Sequence, residues 1–200
     1  MLKKILLGLA LVIAALVALV YVFPEKALAL ALKSERKASG LSEETITVGT
    51  LKWHVLSSKP VAENPLPLVL VHGFGGNADH WTRTVRSLTP AMQVIAPDLI
   101  GFGSSDAPVG GDYTIPTQVE RLHALLLQMG VRKAHFGGNS MGGWIIGAYA
   151  AAYPDEVASL WMLDPAGVTT AAKSEMFLYG EQGHPIPLIV RTPAEFDARM

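Results

Sequence analysis

A serine stands between two glycines at residues 138–142, which read Gly-Asn-Ser-Met-Gly. The segment before it, 134–137, is short and apolar, as a buried strand is, and residues 141–153 form an uninterrupted helix-like stretch. A serine at such a strand-to-helix turn presents its hydroxyl at a helix N-terminus, where main-chain N–H groups favour developing negative charge. The pattern predicts that Ser140 is a nucleophile.

The glycines that flank Ser140, Gly138 and Gly142, are small enough for the tight turn that a nucleophilic serine needs. The same five residues are also compatible with a glycine-rich turn in which Ser140 merely caps the following helix. The surrounding segments decide between these two interpretations.

A second glycine-rich loop, residues 72–76 (HGFGG), follows the continuous aliphatic run 68–71, which is typical of a strand buried on both faces. An oxyanion hole takes one main-chain N–H from the residue after the nucleophile and another from a loop of this kind. We assign these two donors to Met141 and Phe74. Gly73 lets the main chain of the loop approach a ligand closely.

Two polar residues beside these loops are interpreted as structural. For His72, hydrogen bonds that order the loop are favoured over proton transfer. Asp98 follows another aliphatic strand within residues 92–105, and aspartate in such turns usually bonds nearby main chain. We therefore expect Asp98 to fix the loops beside the serine.

Strand-like and helix-like segments alternate along the chain, which predicts βαβ units with right-handed crossovers and a mostly parallel sheet with helices on both faces. Residues 44–48 and 51–56 alternate apolar and polar side chains, which predicts an antiparallel hairpin at one edge. The other strands are predicted within 68–71, 92–105, 134–137 and 157–167, and the helices at 79–88, 117–129 and 141–153.

Three motifs, HGFGG, PDLIGFGSSD and GGNSMGGW, occur in an order and separation that resemble the α/β-hydrolase fold, over about residues 45–200. Within that superfamily the chain is most similar to the membrane-anchored abhydrolase-domain monoacylglycerol lipases. This likeness also includes AAYPDEV at 151–157, Pro-Ala-Gly at 165–167, and the stretch 186–196, which is similar to the start of their cap. The resemblance implies a serine nucleophile, two oxyanion donors and a short acyl ester substrate.

A serine hydrolase also needs a histidine base and a carboxylate that orients it, in the chain order serine, acid, histidine in this superfamily. Within the chain the candidates are Asp164, at the C-terminal end of a predicted strand, and His184. His184 lies in a Gly/Pro-rich loop that is more typical of a lid. We therefore expect the working acid and histidine beyond Met200. On this interpretation the chain is a piece of a longer hydrolase and ends within its cap.

Residues 5–23 form nineteen consecutive positions without a charge, enough for a helix to span a bilayer. This length favours an uncleaved single-pass anchor over a cleaved signal, for which residues 27–31 offer sites. The Met-Leu-Lys-Lys start suggests a bacterial inner membrane. Basic residues on both sides leave the orientation open. Residues 26–37 are compatible with an amphipathic helix at the membrane surface and with a basic linker.

We expect a transmembrane anchor at 1–23, a juxtamembrane linker at 24–43, an α/β-hydrolase core at 44–167 and the start of a cap at 168–200. A net charge of −1 indicates no nucleic-acid partner. The chain has no cysteine and its six histidines are scattered, so we expect neither a metal nor another cofactor.

The predicted function is hydrolysis of carboxylic esters, with a lipid or a small ester as substrate and the membrane as partner, as in a monoacylglycerol lipase or esterase. Two alternatives stay open. The serine motif and residues 165–167 also resemble hydrolases that cleave carbon–carbon bonds of ring-fission products. The chain is also compatible with a noncatalytic, membrane-anchored binding module.

Overall fold

A computed structural model describes residues 2–170 and 172–184. The chain divides into two compact units, residues 1–166 and 167–200, and each is described by itself. The cap-like stretch 186–196 lies outside the described residues.

Six strands form one sheet in the first unit, in the order β1-β2-β4-β3-β5-β6. Strands β3 to β6 are parallel, whereas β1 and β2 form an antiparallel hairpin at one edge and β2 pairs antiparallel with β4. The predicted α/β fold class and the edge hairpin are therefore confirmed. The strands are β1 Ser42–Val48, β2 Leu51–Ser57, β3 Leu68–Val71, β4 Val94–Pro97, β5 Ala134–Asn139 and β6 Val157–Leu163.

Six α-helices occur among the described residues. They are α1 Leu2–Val22, α2 Pro24–Ala38, α3 Thr82–Val85, α4 Ile115–Gln128, α5 Met141–Ala152 and α6 Glu175–Glu181. The predicted helix at 79–88 is wrong in extent, because the structure has a 3-10 turn at Ala78–Trp81 followed by the four-residue α3. Two threonines and a valine in α3, which are β-branched, account for this, since such side chains lose rotamer freedom in a helix.

The segment predicted as a juxtamembrane linker, 24–43, contains helix α2. Its placement at the membrane surface stays a prediction. Pro24 fits the start of α2 because the first turn needs no N–H from that position. The C-terminal end of α2 is held by later parts of the first unit, where Arg83 binds Glu35 and the Thr89 hydroxyl donates to the Ser39 carbonyl at 2.9 Å.

One helix among the described residues is long and apolar enough to cross a membrane. Its stretch Lys4–Val22 has a mean hydropathy of 3.0 and no buried residue. By length and composition, α1 is therefore a candidate membrane anchor.

The hydrophobic core lies on both faces of the sheet. Val69 and Val71 of β3 face a cluster that includes the apolar side of α4, whereas Leu68 and Leu70 face a second cluster with Trp81. All four residues of β3 are buried, as its continuous aliphatic sequence predicted. The sheet thus holds the C-terminal ends of β3, β4, β5 and β6 at one edge, where α/β proteins assemble their sites.

A comparison of two leucines in α4 tests this packing. Leu125 is fully buried and Leu127 is partly exposed. We expect Leu125→Ala to lower the free energy of unfolding by about 2–5 kcal/mol, because it leaves a cavity in the core. Leu127→Ala should cost clearly less in the same denaturant titration, and equal losses would contradict the packing described.

Candidate active site

Ser140 joins the end of β5 to the start of α5 in a strained conformation, with φ 52° and ψ −117°. A positive φ is unfavourable for a residue with a side chain and persists only where its surroundings enforce it. Here the Ser140 N–H donates to the Leu163 carbonyl at 3.0 Å, and the Ser140 carbonyl accepts from Trp144 at 3.1 Å and Ala166 at 2.9 Å. The main chain of Ser140 is therefore held by α5 and by the segment that ends β6.

The glycines around Ser140 are required because main-chain segments touch there. A Cβ atom on Gly142 would lie within 2.6 Å of the His72 carbonyl oxygen and closer still to that of Val71. A Cβ atom on Gly138 would lie 2.5 Å from the Gly142 carbonyl oxygen. These distances are below any van der Waals contact, so both positions exclude every other residue unless the main chain moves.

Two neighbouring glycines extend this contact. A Cβ atom on Gly73 would lie 3.2 Å from the Cβ of Ser140, so the loop of residues 72–76 passes directly beside the serine. A Cβ atom on Gly143 would lie 2.8 Å from the Cβ of Pro165. Gly143 was not predicted as a site residue, although its place beside Gly142 in a glycine pair was the available signal.

The Ser140 side chain is partly exposed, and its hydroxyl makes no capping hydrogen bond to α5 within the described residues. The interpretation that Ser140 only caps the helix is therefore wrong. Its neighbour Met141 is the first residue of α5, and N–H groups in a first helical turn lack partners within the helix. Such N–H groups can bind an oxyanion.

His72 orders the loop that contains Phe74, as predicted. Its buried ring accepts a hydrogen bond at Nε2 from the Leu99 N–H at 3.0 Å, so Nδ1 carries the proton and donates to the Gly73 carbonyl at 2.8 Å. Burial lowers the pKa of His72, which keeps the ring neutral and preserves this tautomer. The structure thus confirms a loop-ordering role for His72.

Asp98 is a buried carboxylate with three donors. Its Oδ1 accepts from the Ala78 N–H at 2.6 Å, and its Oδ2 from the Ser104 N–H at 2.7 Å and from His54 Nδ1 at 2.9 Å. Burial favours the protonated acid, but hydrogen bonds from His54 and the two main-chain groups outweigh it and hold the pKa of Asp98 below its ordinary value. The predicted structural role of Asp98 is confirmed, whereas His54 was not foreseen.

Asp164 follows β6 with a positive φ of 42°. It shares a cavity of about 380 Å³ with Asn139, which precedes Ser140. His184 belongs to the second unit, where its ring stacks on Tyr179 at a centroid distance of 4.1 Å. A triad of Asp164 with His184, the less favoured arrangement in the sequence analysis, therefore stays untested.

A second cavity, of about 430 Å³, is formed by Phe74, Met141 and residues of the loop after β4. The Phe74 and Phe102 rings meet edge to face at 5.6 Å on its wall. The Tyr113 hydroxyl is turned to the Pro108 carbonyl at 2.6 Å, so the Tyr113 ring contributes an apolar surface. An apolar space therefore adjoins both predicted oxyanion donors.

Comparison with known proteins matches residues 67–181 to the alpha/beta hydrolase fold family. The chain belongs to this family. The predicted superfamily is thereby confirmed. Among the described residues of this alpha/beta hydrolase-fold protein, no group of three or more His, Asp or Glu side chains is placed to hold a metal ion.

Three relatives are named as lipases or phospholipases. Lipase 1 of Psychrobacter immobilis is 46% identical over 131 residues, which cover 65% of this chain and 41% of the lipase. Monoacylglycerol lipase ABHD6 of Homo sapiens is 32% identical over 136 residues, which cover 64% of this chain and 40% of that protein. The crystal structure of a membrane phospholipase A, described as a bacterial virulence factor, superposes with a TM-score of 0.82 at 42% identity and covers 98% of this chain and 62% of that one. The alpha/beta hydrolase-fold chain thus spans less than two thirds of each.

Two glycines of α5 provide a test of the main-chain contact at the serine. Gly142→Ala should abolish activity or folding, because its Cβ would enter the carbonyl groups that end β3. Gly147→Ala is the matched control in the same helix, since its Cβ would meet only the flexible end of Met162 at 3.3 Å, and we expect an unchanged or raised melting temperature. An active, stable Gly142→Ala protein would contradict the described geometry.

The His54–Asp98 pair should make stability depend on pH. The hydrogen bond and charge of Asp98 raise the pKa of His54. The stability that protonated His54 contributes is therefore fully present below the pKa of His54 in the unfolded state, and it is lost as pH rises through the pKa of His54 in the folded state. The lowered pKa of Asp98 keeps that carboxylate ionised in mild acid. We expect the melting-temperature difference between wild type and His54→Gln to be larger near pH 5.5 than near pH 8.5. A constant difference would contradict a contribution from the charge of the His54 ring.

Proposed function

We propose that the protein is a serine hydrolase that cleaves carboxylic esters, with Ser140 as the nucleophile. The observation that carries this proposal is the strained conformation of Ser140 between β5 and α5. Its main chain is fully engaged while its hydroxyl makes no capping bond in the described part of the chain. Strain of this kind, maintained by glycines that admit no substitute, supports a role for the partly exposed Ser140 side chain in chemistry.

In the proposed reaction the Ser140 oxygen attacks the ester carbonyl carbon and transfers its proton to a histidine base. The carbonyl oxygen becomes an oxyanion, which accepts hydrogen bonds from the N–H groups of Phe74 and Met141. The alcohol then leaves with the proton from the base, which forms an acyl enzyme on Ser140. Water, deprotonated by the same base, attacks the acyl carbon, and the Ser140 oxygen leaves with that proton. Asp164 and His184 are the candidates for acid and base that this chain supplies.

The proposed substrate is a monoacylglycerol or a similar lipid ester. The apolar cavity beside Phe74 and Met141 suits an acyl chain better than a polar group. The relatives named above are a lipase, a monoacylglycerol lipase and a membrane phospholipase A. We further propose that α1 is a single-pass anchor in a bacterial inner membrane, because an anchored enzyme meets a lipid substrate in the plane of the bilayer.

Labelling with a fluorophosphonate tests the nucleophile. In detergent, the full-length wild-type protein should take up one probe molecule per chain, and Ser140→Ala in the same protein should take up none and lose hydrolysis of 1-monooleoylglycerol by at least about a thousandfold. Ser104→Ala is the control, because Ser104 is exposed and binds Asp98 through its main chain only. Labelling or full activity in Ser140→Ala would contradict the proposal.

The choice of substrate separates the alternatives. Turnover of monoacylglycerol and p-nitrophenyl esters supports ester hydrolysis. Turnover of a dienoate ring-fission compound without ester hydrolysis would favour carbon–carbon bond cleavage instead. Absence of both turnover and labelling would favour a noncatalytic binding module.

A further inference from the structure

A guanidinium group from α2 binds the last residue of the loop that follows β3. The Arg36 Nε donates to Asp79 Oδ1 at 2.7 Å, and a terminal nitrogen donates to Oδ2 at 2.6 Å. The Arg36 and Asp79 side chains are 18% and 14% exposed, so the pair is largely withdrawn from water. Two parallel bonds fix both the distance and the plane of the two groups. The other terminal nitrogen of Arg36 binds Glu43 of β1.

Asp79 lies in the 3-10 turn at Ala78–Trp81, which ends the loop of residues 72–79. We call residues 72–79 the oxyanion loop. At its start, the His72 ring binds the Gly73 carbonyl, and in its middle the Gly76 N–H donates to that same carbonyl at 3.0 Å. At its end, the Ala78 N–H is bound by Asp98 and the Asp79 carboxylate by Arg36.

The position of Phe74 depends on these end points. Its side chain is 59% exposed, so core packing contributes little to holding its main chain. Two of the residues that hold the loop, His72 and Asp98, directly follow strands of the sheet, β3 and β4. Arg36 comes from α2, the helix that directly follows the candidate membrane anchor.

A neighbouring ion pair shows why Arg36 differs from an ordinary surface contact. Arg83 of α3 binds Glu35 of α2 at 2.7 Å, but these side chains are 86% and 41% exposed. Exposed pairs of this kind contribute little to stability because water screens them. Removing Arg36 would instead leave the partly buried Asp79 carboxylate without a cationic partner, with the Thr82 hydroxyl as a long hydrogen-bond donor at 3.4 Å.

We propose that Arg36 is a positioning residue for the oxyanion loop. By binding Asp79 it fixes the main chain that presents the Phe74 N–H, and it thereby links α2 to the reacting centre. Arg36 touches no reacting atom and acts through Asp79. The inference rests on the proposed function, because it requires that the Phe74 N–H binds the oxyanion.

Steady-state kinetics of the anchored protein in detergent, with p-nitrophenyl butyrate, test this role. We expect Arg36→Gln and Asp79→Asn each to lower kcat by about 10- to 100-fold, with KM changed less than about threefold, because displacing an oxyanion donor weakens transition-state binding rather than substrate binding. The double variant should be no slower than the slower single variant, since both remove one interaction. Arg36→Lys keeps the charge but not the paired bonds and should recover part of kcat.

Arg83→Gln is the matched control, because it removes the other ion pair between α2 and the α3 region, and its kcat should stay within about twofold of wild type. Melting temperatures are measured for every variant, and all assays are run well below them. An unchanged kcat in folded Arg36→Gln, with a lowered melting temperature alone, would show a purely structural clamp and overturn the inference. If Arg36→Gln does not fold, the same measurements are made on Asp79→Asn and Arg36→Lys. An unchanged kcat in both folded variants would then overturn the inference.

The control for the reaction itself is Ser140→Ala. If Ser140→Ala retains wild-type hydrolysis, the proposed function fails whatever Arg36 does. If hydrolysis depends on Ser140 but kcat is insensitive to Arg36 and Asp79, the proposed function stands and the positioning role of Arg36 is overturned.

Discussion

The first turn of α5 lies in direct main-chain contact with the end of β3, and the geometry of the site depends on this contact. Gly142 admits the Val71 and His72 carbonyl groups where any side chain would collide. Because α5 begins so close to the sheet, the chain must turn sharply after β5, and Ser140 takes a positive φ. The same approach brings Met141 beside the loop that contains Phe74. One steric constraint therefore places the serine and both predicted oxyanion donors together.

Buried hydrogen bonds, rather than side-chain packing, hold the loops around this contact. Asp98 joins the 3-10 turn after β3, the loop after β4 and His54 of β2 through three donors. His72 joins the loop after β3 to Leu99 after β4. Each group is withdrawn from water, where an unpaired partner would be costly, so these bonds restrict the loops strongly. These bonds fix the main-chain conformation of short, glycine-rich loops, as a preorganised oxyanion hole requires.

Helix α2 lies outside the α/β sheet and precedes its first strand. It begins at Pro24, directly after the candidate anchor α1, and ends where Arg36 binds Asp79. A helix attached at this point connects the N-terminal segment to the oxyanion loop through one bidentate ion pair. In the proposed lipid hydrolase, the part of the protein nearest the membrane would thus contact the machinery that binds the reacting ester.

The sequence by itself determined the features that depend on near neighbours along the chain. The aliphatic run of β3, the helical spacing of α4 and the Gly-x-Ser-x-Gly turn follow from local periodicity and glycine placement, and the structure contains all three. Tertiary structure decided the partners of charged groups. Asp98 meets His54, 44 positions away, and Arg36 meets Asp79, 43 positions away. No local pattern encodes such pairs, because they form only after the sheet brings β2, β4 and the oxyanion loop together. For the same reason the segment 24–43 left two interpretations open, since the contacts that hold α2 lie far along the chain.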